Sequence, residues 1–171
     1  FATEREPWFF CSCCPTNYCR FLPQIGTFLW SENADEVRLN IPAASTLRSN
    51  GRAIRVQGGY PYDGKVKITF LAPGDYALSV RIPAWCDGAS VECRPGCLDE
   101  SANDGFLRFS GPWKKGDAIS IDFSMPTEFV RTCAEVHDDA GKVAILRGPL
   151  VYALESTDNG ENLLDELTLQ Y

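Results

Sequence analysis

The stretch KVKITFLAPGDYALSVRI, residues 65–82, decides the fold class. Val66, Ile68 and Phe70 alternate with polar residues, and Tyr76, Leu78, Val80 and Ile82 alternate with small or polar ones. A period of two is the signature of a half-buried strand. Pro73-Gly74-Asp75 separates the two runs and reads as a hairpin-like turn. Working outward, the same alternation predicts strands over 36–41, 52–57, 90–92, 106–109, 118–123, 128–131, 143–147 and 150–155. Turn residues lie between them: Gly58-Gly59, Asn103-Asp104-Gly105, Lys115-Gly116-Asp117 and Gly148-Pro149. About ten short strands at this spacing predict an all-β sandwich. Few gaps have helix length, which argues against a parallel α/β sheet.

One segment departs from this pattern. Phe21, Leu22, Ile25, Phe28 and Leu29 recur at helical spacing, which predicts a helix over 18–30 with Thr16 or Asn17 as its cap. Pro23 should kink that helix or delay its start. A single helix cannot bury its own apolar face. The chain also opens on Phe1 with no signal-peptide pattern. Both features lead us to expect helical partners upstream of residue 1. The tail after Ser156 is polar and acidic, through Asp158, Glu161, Asp165 and Glu166.

Charge narrows the classes of partner. The 171 residues carry a net charge of −7. That disfavours nucleic acid and anionic lipid, which are bound by excess Lys and Arg. Hydrophobic residues make up 44% of the chain, enough for a core, yet no apolar run is long enough to span a bilayer. A soluble protein with an uncharged ligand is compatible with all of this.

Cysteine usage carries the chemistry. Of eight cysteines, Cys11, Cys13, Cys14 and Cys19 fall within nine positions. Adjacent cysteines bridge each other only with strain. Thiolates are soft metal ligands and strong nucleophiles, and a helix start favours the ionised form. Three readings stay open for the cluster: a metal or reactive site, inert burial, and disulfides. A tetrahedral zinc takes about four ligands, so this cluster would need others. Cys86, Cys93 and Cys97 read as buried or locally bridged. His137, beside Asp138 and Asp139, reads as a solvated loop histidine, and the pairs Asp99-Glu100 and Asp138-Asp139 as solvated loops.

Cys11-Ser12-Cys13-Cys14-Pro15-Thr16-Asn17, followed by a helix with Arg20 and Gly26, resembles the cysteine motif of the β-L-arabinofuranosidase glycoside hydrolases of family 127, the DUF1680 proteins. Four later segments resemble that family's C-terminal landmarks in the same order: Tyr60-Pro61-Tyr62-Asp63-Gly64, Arg81-Ile82-Pro83-Ala84-Trp85-Cys86, Trp113-Lys114-Lys115-Gly116-Asp117 and Arg147-Gly148-Pro149-Leu150-Val151-Tyr152. The resemblance implies a bacterial, carbohydrate-cleaving enzyme whose (α/α)6 barrel precedes β-sandwich domains. Residues 1–32 would then be the end of the barrel and 33–171 the sandwich, with the rest of the barrel missing from this chain. It also implies a Zn²⁺ held by one Glu and three Cys, with Cys13 as nucleophile and zinc ligand and Cys14 as a further ligand. Cys11 receives no role. The acid/base glutamate, the metal-binding Glu and the third Cys ligand would lie upstream, and nothing assigns those roles to Glu4 or Glu6. The isolated chain is therefore expected to be inactive and to hold zinc weakly. The compartment, cytoplasm or periplasm, stays open.

A competing expectation is a non-catalytic carbohydrate-binding or structural sandwich with buried cysteines, and a third is a small zinc-stabilised module. Tyr60, Tyr62 and Trp85 would stack on sugar in the binding case and pack in a core or interface otherwise.

Overall fold

The computed structural model describes residues 11–99 and 104–160. Glu4, Glu6, the aromatic run Trp8-Phe9-Phe10, Glu100, Glu161, Asp165 and Glu166 lie outside them. The chain forms two compact units, one of residues 18–125 and one of residues 1–17 with 126–171.

The helical segment comes in pieces. Helix α1 spans Cys13–Phe21, a 3₁₀ turn follows over Leu22–Gln24, and α2 spans Ile25–Leu29. The break falls on Pro23, which has no N–H for the helical ladder. The start lies earlier than the sequence suggests. Thr16 N–H donates to Ser12 O (3.2 Å), and Thr16 Oγ1 turns back to Ser12 O (2.8 Å) and Cys13 O (3.1 Å), so Thr16 sits inside the first turn and does not cap it. Pro15 fits there, because first-turn N–H groups have no helical partner to lose.

The larger unit is mainly β, as the alternation predicts. Its strands are β1 (Trp30–Glu32), β2 (Glu36–Leu39), β3 (Ser45–Ser49), β4 (Arg52–Gly58), β5 (Lys65–Phe70), β6 (Ala77–Arg81), β7 (Ala89–Glu92), β8 (Leu98–Asp99), β9 (Phe106–Phe109) and β10 (Ala118–Phe123). They form two five-stranded sheets, ordered β1-β2-β6-β9-β8 and β3-β4-β5-β10-β7. Inward positions of both sheets share one core. Ile68 faces Ile119 and Val66 faces Ile121 across β5 and β10. Val37 pairs with Leu78, and Leu78 with Phe109, in the other sheet. Each fully buried side chain of this kind contributes about 1.5–3 kcal/mol relative to exposure.

Pro73-Gly74-Asp75 does not close a hairpin. β5 and β6 belong to different sheets, so these residues form a crossover between them. The crossover is pinned from the far side: Gly74 N–H donates to Trp113 O (3.1 Å) and Trp113 N–H to Gly74 O (2.7 Å). β6 then pairs in parallel with β2. Gly64 marks another close approach, since a Cβ there would lie on the Phe123 carbonyl.

In the second unit, β11 (Thr127–Arg131), β12 (Val143–Arg147) and β13 (Leu150–Tyr152) form an antiparallel sheet, and a single turn of helix, α3, spans Ser156–Asn159. The register places Phe129 opposite Ile145 and Ile145 opposite Tyr152. Among its described residues, the span 33–171 carries two sheets up to Phe123 and a third from Thr127.

Candidate active site

The chemistry-bearing residues gather where α1 begins. Cys11 Sγ lies 3.0 Å from Cys13 Sγ, and Cys13 Sγ lies 3.8 Å from Cys14 Sγ. All three thiols are exposed, as is Cys19 farther along α1. The early helix start puts Cys13 and Cys14 inside the first turn, where backbone N–H groups are unsatisfied and the helix dipole is positive.

Thiol–thiol contacts nevertheless govern Cys13. Its hydrogen bonds with Cys11 and Cys14 hold its pKa above the ordinary thiol value. Cys11 moves the other way, because its hydrogen bond with Cys13 favours the thiolate there. The helix start was expected to lower Cys13. Hydrogen bonding to the neighbouring thiols outweighs it.

The cluster suits a soft cation in donor type. Two thiolates on one tetrahedral zinc, at bonds of about 2.3 Å, stand roughly 3.8 Å apart, the separation found between Cys13 and Cys14. The donors are too few by themselves. Among the described residues no group of three or more His, Cys, Asp or Glu side chains is placed to hold a metal ion.

Other candidates are accounted for locally. His137 begins a 3₁₀ turn, His137–Asp139, where Lys142 Nζ donates to Asp138 O (2.7 Å) and Asp139 Oδ1 (3.3 Å). Trp85 packs on the sandwich core, stacked with Tyr60 at 6.4 Å and edge-on to Phe123 at 6.5 Å, while Tyr62 is exposed. Cys86 Sγ donates to Gly88 O (3.0 Å). The contact the sequence reading missed is Cys11 on Cys13. Its signal was the spacing of two residues just ahead of a helix.

A second feature concerns α1 and α2. Tyr18, Phe21, Leu22, Ile25 and Phe28 are all exposed, and the Phe21 and Phe28 rings lie 5.8 Å apart. No residue of either helix is buried. An apolar stripe of this kind is ordinarily covered. Among the described residues no helix is long and apolar enough to cross a membrane.

Comparison with known proteins gives the family. The chain is 32% identical over 174 residues to a non-reducing end beta-L-arabinofuranosidase of Bifidobacterium longum subsp. longum, covering 94% of this chain and 26% of that protein. Among solved structures it resembles a GH127 beta-L-arabinofuranosidase from Geobacillus stearothermophilus T6, with a TM-score of 0.77 and 33% identity over 95% of this chain and 27% of the other. A structure described as a glycoside hydrolase superposes with a TM-score of 0.81 at 29% identity, covering 95% of this chain and 29% of that one. The chain thus spans about a quarter of the length of these relatives. The sequence model of the beta-L-arabinofuranosidase GH127 middle domain matches residues 36–125, and that of the glycoside hydrolase family 127 C-terminal domain matches residues 127–170. By these matches the chain belongs to glycoside hydrolase family 127.

Proposed function

We propose that the chain is the C-terminal portion of a retaining glycoside hydrolase in which Cys13 attacks the anomeric carbon of a β-L-arabinofuranoside. The observation that carries this reading is the exposed trio of thiols at the first turn of α1, within 3.0 and 3.8 Å of one another. The names of the relatives supply the substrate class.

In this reading Cys13 and Cys14 hold a Zn²⁺ together with residues from elsewhere in the protein. When bound, the cation keeps a coordinated thiol ionised at neutral pH. That matters here because the thiol–thiol hydrogen bonds otherwise keep the Cys13 proton in place. The Cys13 thiolate displaces the aglycone and forms a carbon–sulfur bond at the anomeric carbon. A glutamic acid outside this chain protonates the departing oxygen and then activates water, which displaces Cys13 Sγ. Two inversions at one carbon retain its configuration.

The exposed stripe of Tyr18, Phe21, Ile25 and Phe28 supports the further reading that α1 and α2 close an (α/α)6 barrel built by another part of the protein. The isolated chain, lacking that part, is inactive. A non-catalytic sandwich with inert cysteines would bury Cys11, Cys13 and Cys14, and all three are exposed.

The test is Cys13→Ala in the complete protein. We expect release of arabinose to fall to background while circular dichroism and the melting temperature of the sandwich stay those of the parent. Undiminished release refutes the role of Cys13.

A further inference from the structure

We propose that Cys93 and Cys97 form an oxidisable pair that closes a disulfide at the corner where the two sheets of the sandwich meet. Nothing in the glycosidase reading uses these residues. Cys93 directly follows β7, the edge strand of one sheet, and Cys97 directly precedes β8, the edge strand of the other. Between them Arg94-Pro95-Gly96 makes a tight reversal. Cys97 N–H donates to Arg94 O (3.3 Å), and Gly96 takes the left-handed conformation at φ +75°, which suits glycine.

The reversal is held from outside. Arg94 Nη2 donates to Ser110 O (2.8 Å), and its guanidinium lies 5.2 Å over the Trp113 ring. Ser110 N–H donates to Cys97 O (2.8 Å). The turn thereby reverses the chain between Cys93 and Cys97, which stand four residues apart. Both cysteines pack against the same core, yet they differ in access: Cys97 is 2% exposed and Cys93 is half-buried.

That asymmetry orders the chemistry. The oxidant is a low-molecular-weight disulfide. The Cys93 thiolate, reachable from solvent, attacks one of its sulfurs, giving a mixed disulfide and releasing one thiol. The Cys97 thiol then loses its proton, attacks Cys93 Sγ and releases the second thiol. Two cysteine thiols are oxidised and one external disulfide is reduced to two thiols. Burial and the neighbouring Cys93 push the Cys97 pKa to about 11, so Cys97 is the resolving partner and not the first nucleophile.

The test uses the chain incubated with oxidised glutathione, blocked with N-ethylmaleimide and cut with a glutamate-specific protease. Cleavage after Glu92 and Glu100 isolates Cys93 and Cys97 from every other cysteine. We expect that peptide to be lighter by two hydrogens and to carry no maleimide. A sample denatured in urea without oxidant must take maleimide at both positions. In Cys93→Ser the bridge is impossible and Cys97 must be recovered as a thiol. Recovery of the parent peptide labelled at both cysteines overturns the proposal. So does glutathione retained on Cys93 beside a free Cys97.

Discussion

The indole of Trp113 lies flat on the ring of Phe70, with centroids 3.9 Å apart and planes 9° apart. Trp113 Nε1 also donates to Tyr76 O (2.8 Å), and its backbone pairs with Gly74. One side chain therefore ties β5, the crossover to β6 and the loop before β10 together. Trp113→Ala should cost about 3–5 kcal/mol, as expected of a buried aromatic. Urea unfolding checks this. Trp113→Phe should cost less, keeping an aromatic ring on Phe70 while losing the donor to Tyr76 and part of the indole's volume.

Gly64 sits where a Cβ would meet the Phe123 carbonyl, which is backbone and has little room to move. Gly64→Ala should destabilise by about 1–3 kcal/mol. Gly88→Ala, where a Cβ meets nothing within 4 Å, should stay within about 0.5 kcal/mol. Equal effects at the two sites would contradict the geometry.

Glu36 gives a pH dependence with a definite sign. Partial burial alone would raise its pKa. The bonds from Ser79 Oγ (2.6 Å) and Arg38 Nε (2.8 Å) to its carboxylate outweigh that and hold the pKa below the usual glutamate value. The unfolded chain therefore binds the proton first as pH falls. The contribution of Glu36 is full above the ordinary glutamate pKa of about 4.3 and is lost as pH drops through the folded value. The stability difference between the parent and Glu36→Gln should be constant above about pH 5 and shrink in more acidic solution. A difference that grows on acidification would contradict the assignment.

Zinc content separates the proposed metal site from a mere thiol cluster. The complete protein should retain one zinc per molecule through dialysis, and Cys14→Ser should retain less. The isolated chain should retain little, since its described residues do not complete a ligand set. Full retention by the isolated chain would favour a self-contained zinc module.

Much of the sandwich was legible because its inward positions are apolar and its outward ones charged, as along Lys65–Phe70. β3 was not read. Ser45–Ser49 carries one large apolar residue, Leu47, and its alternation is only between half-buried and exposed. The readable sign was Asn50-Gly51, where φ of 49° and 76° makes the two-residue turn into β4. The partners of β5 and β6 were misread for a different reason. Alternation marks a strand without naming its neighbour, and it is Trp113, far along the chain, that captures Gly74.

At the candidate site, Cys13 and Cys14 were named from the motif and the kink from Pro23. The thiol contact that raises the Cys13 pKa depends on where the helix begins. Pro15 permits a start before Thr16, and a propensity argument that treats Thr as a cap passes over it.

Whether Cys13 Sγ bonds to the sugar is read by mass. The complete protein is quenched with acid during turnover of an activated β-L-arabinofuranoside, digested and mapped. One anhydro-pentose adduct is expected, located on the peptide that carries Cys13 and absent from Cys13→Ala. A pentose adduct on a carboxylate, with Cys13 unmodified, would contradict it.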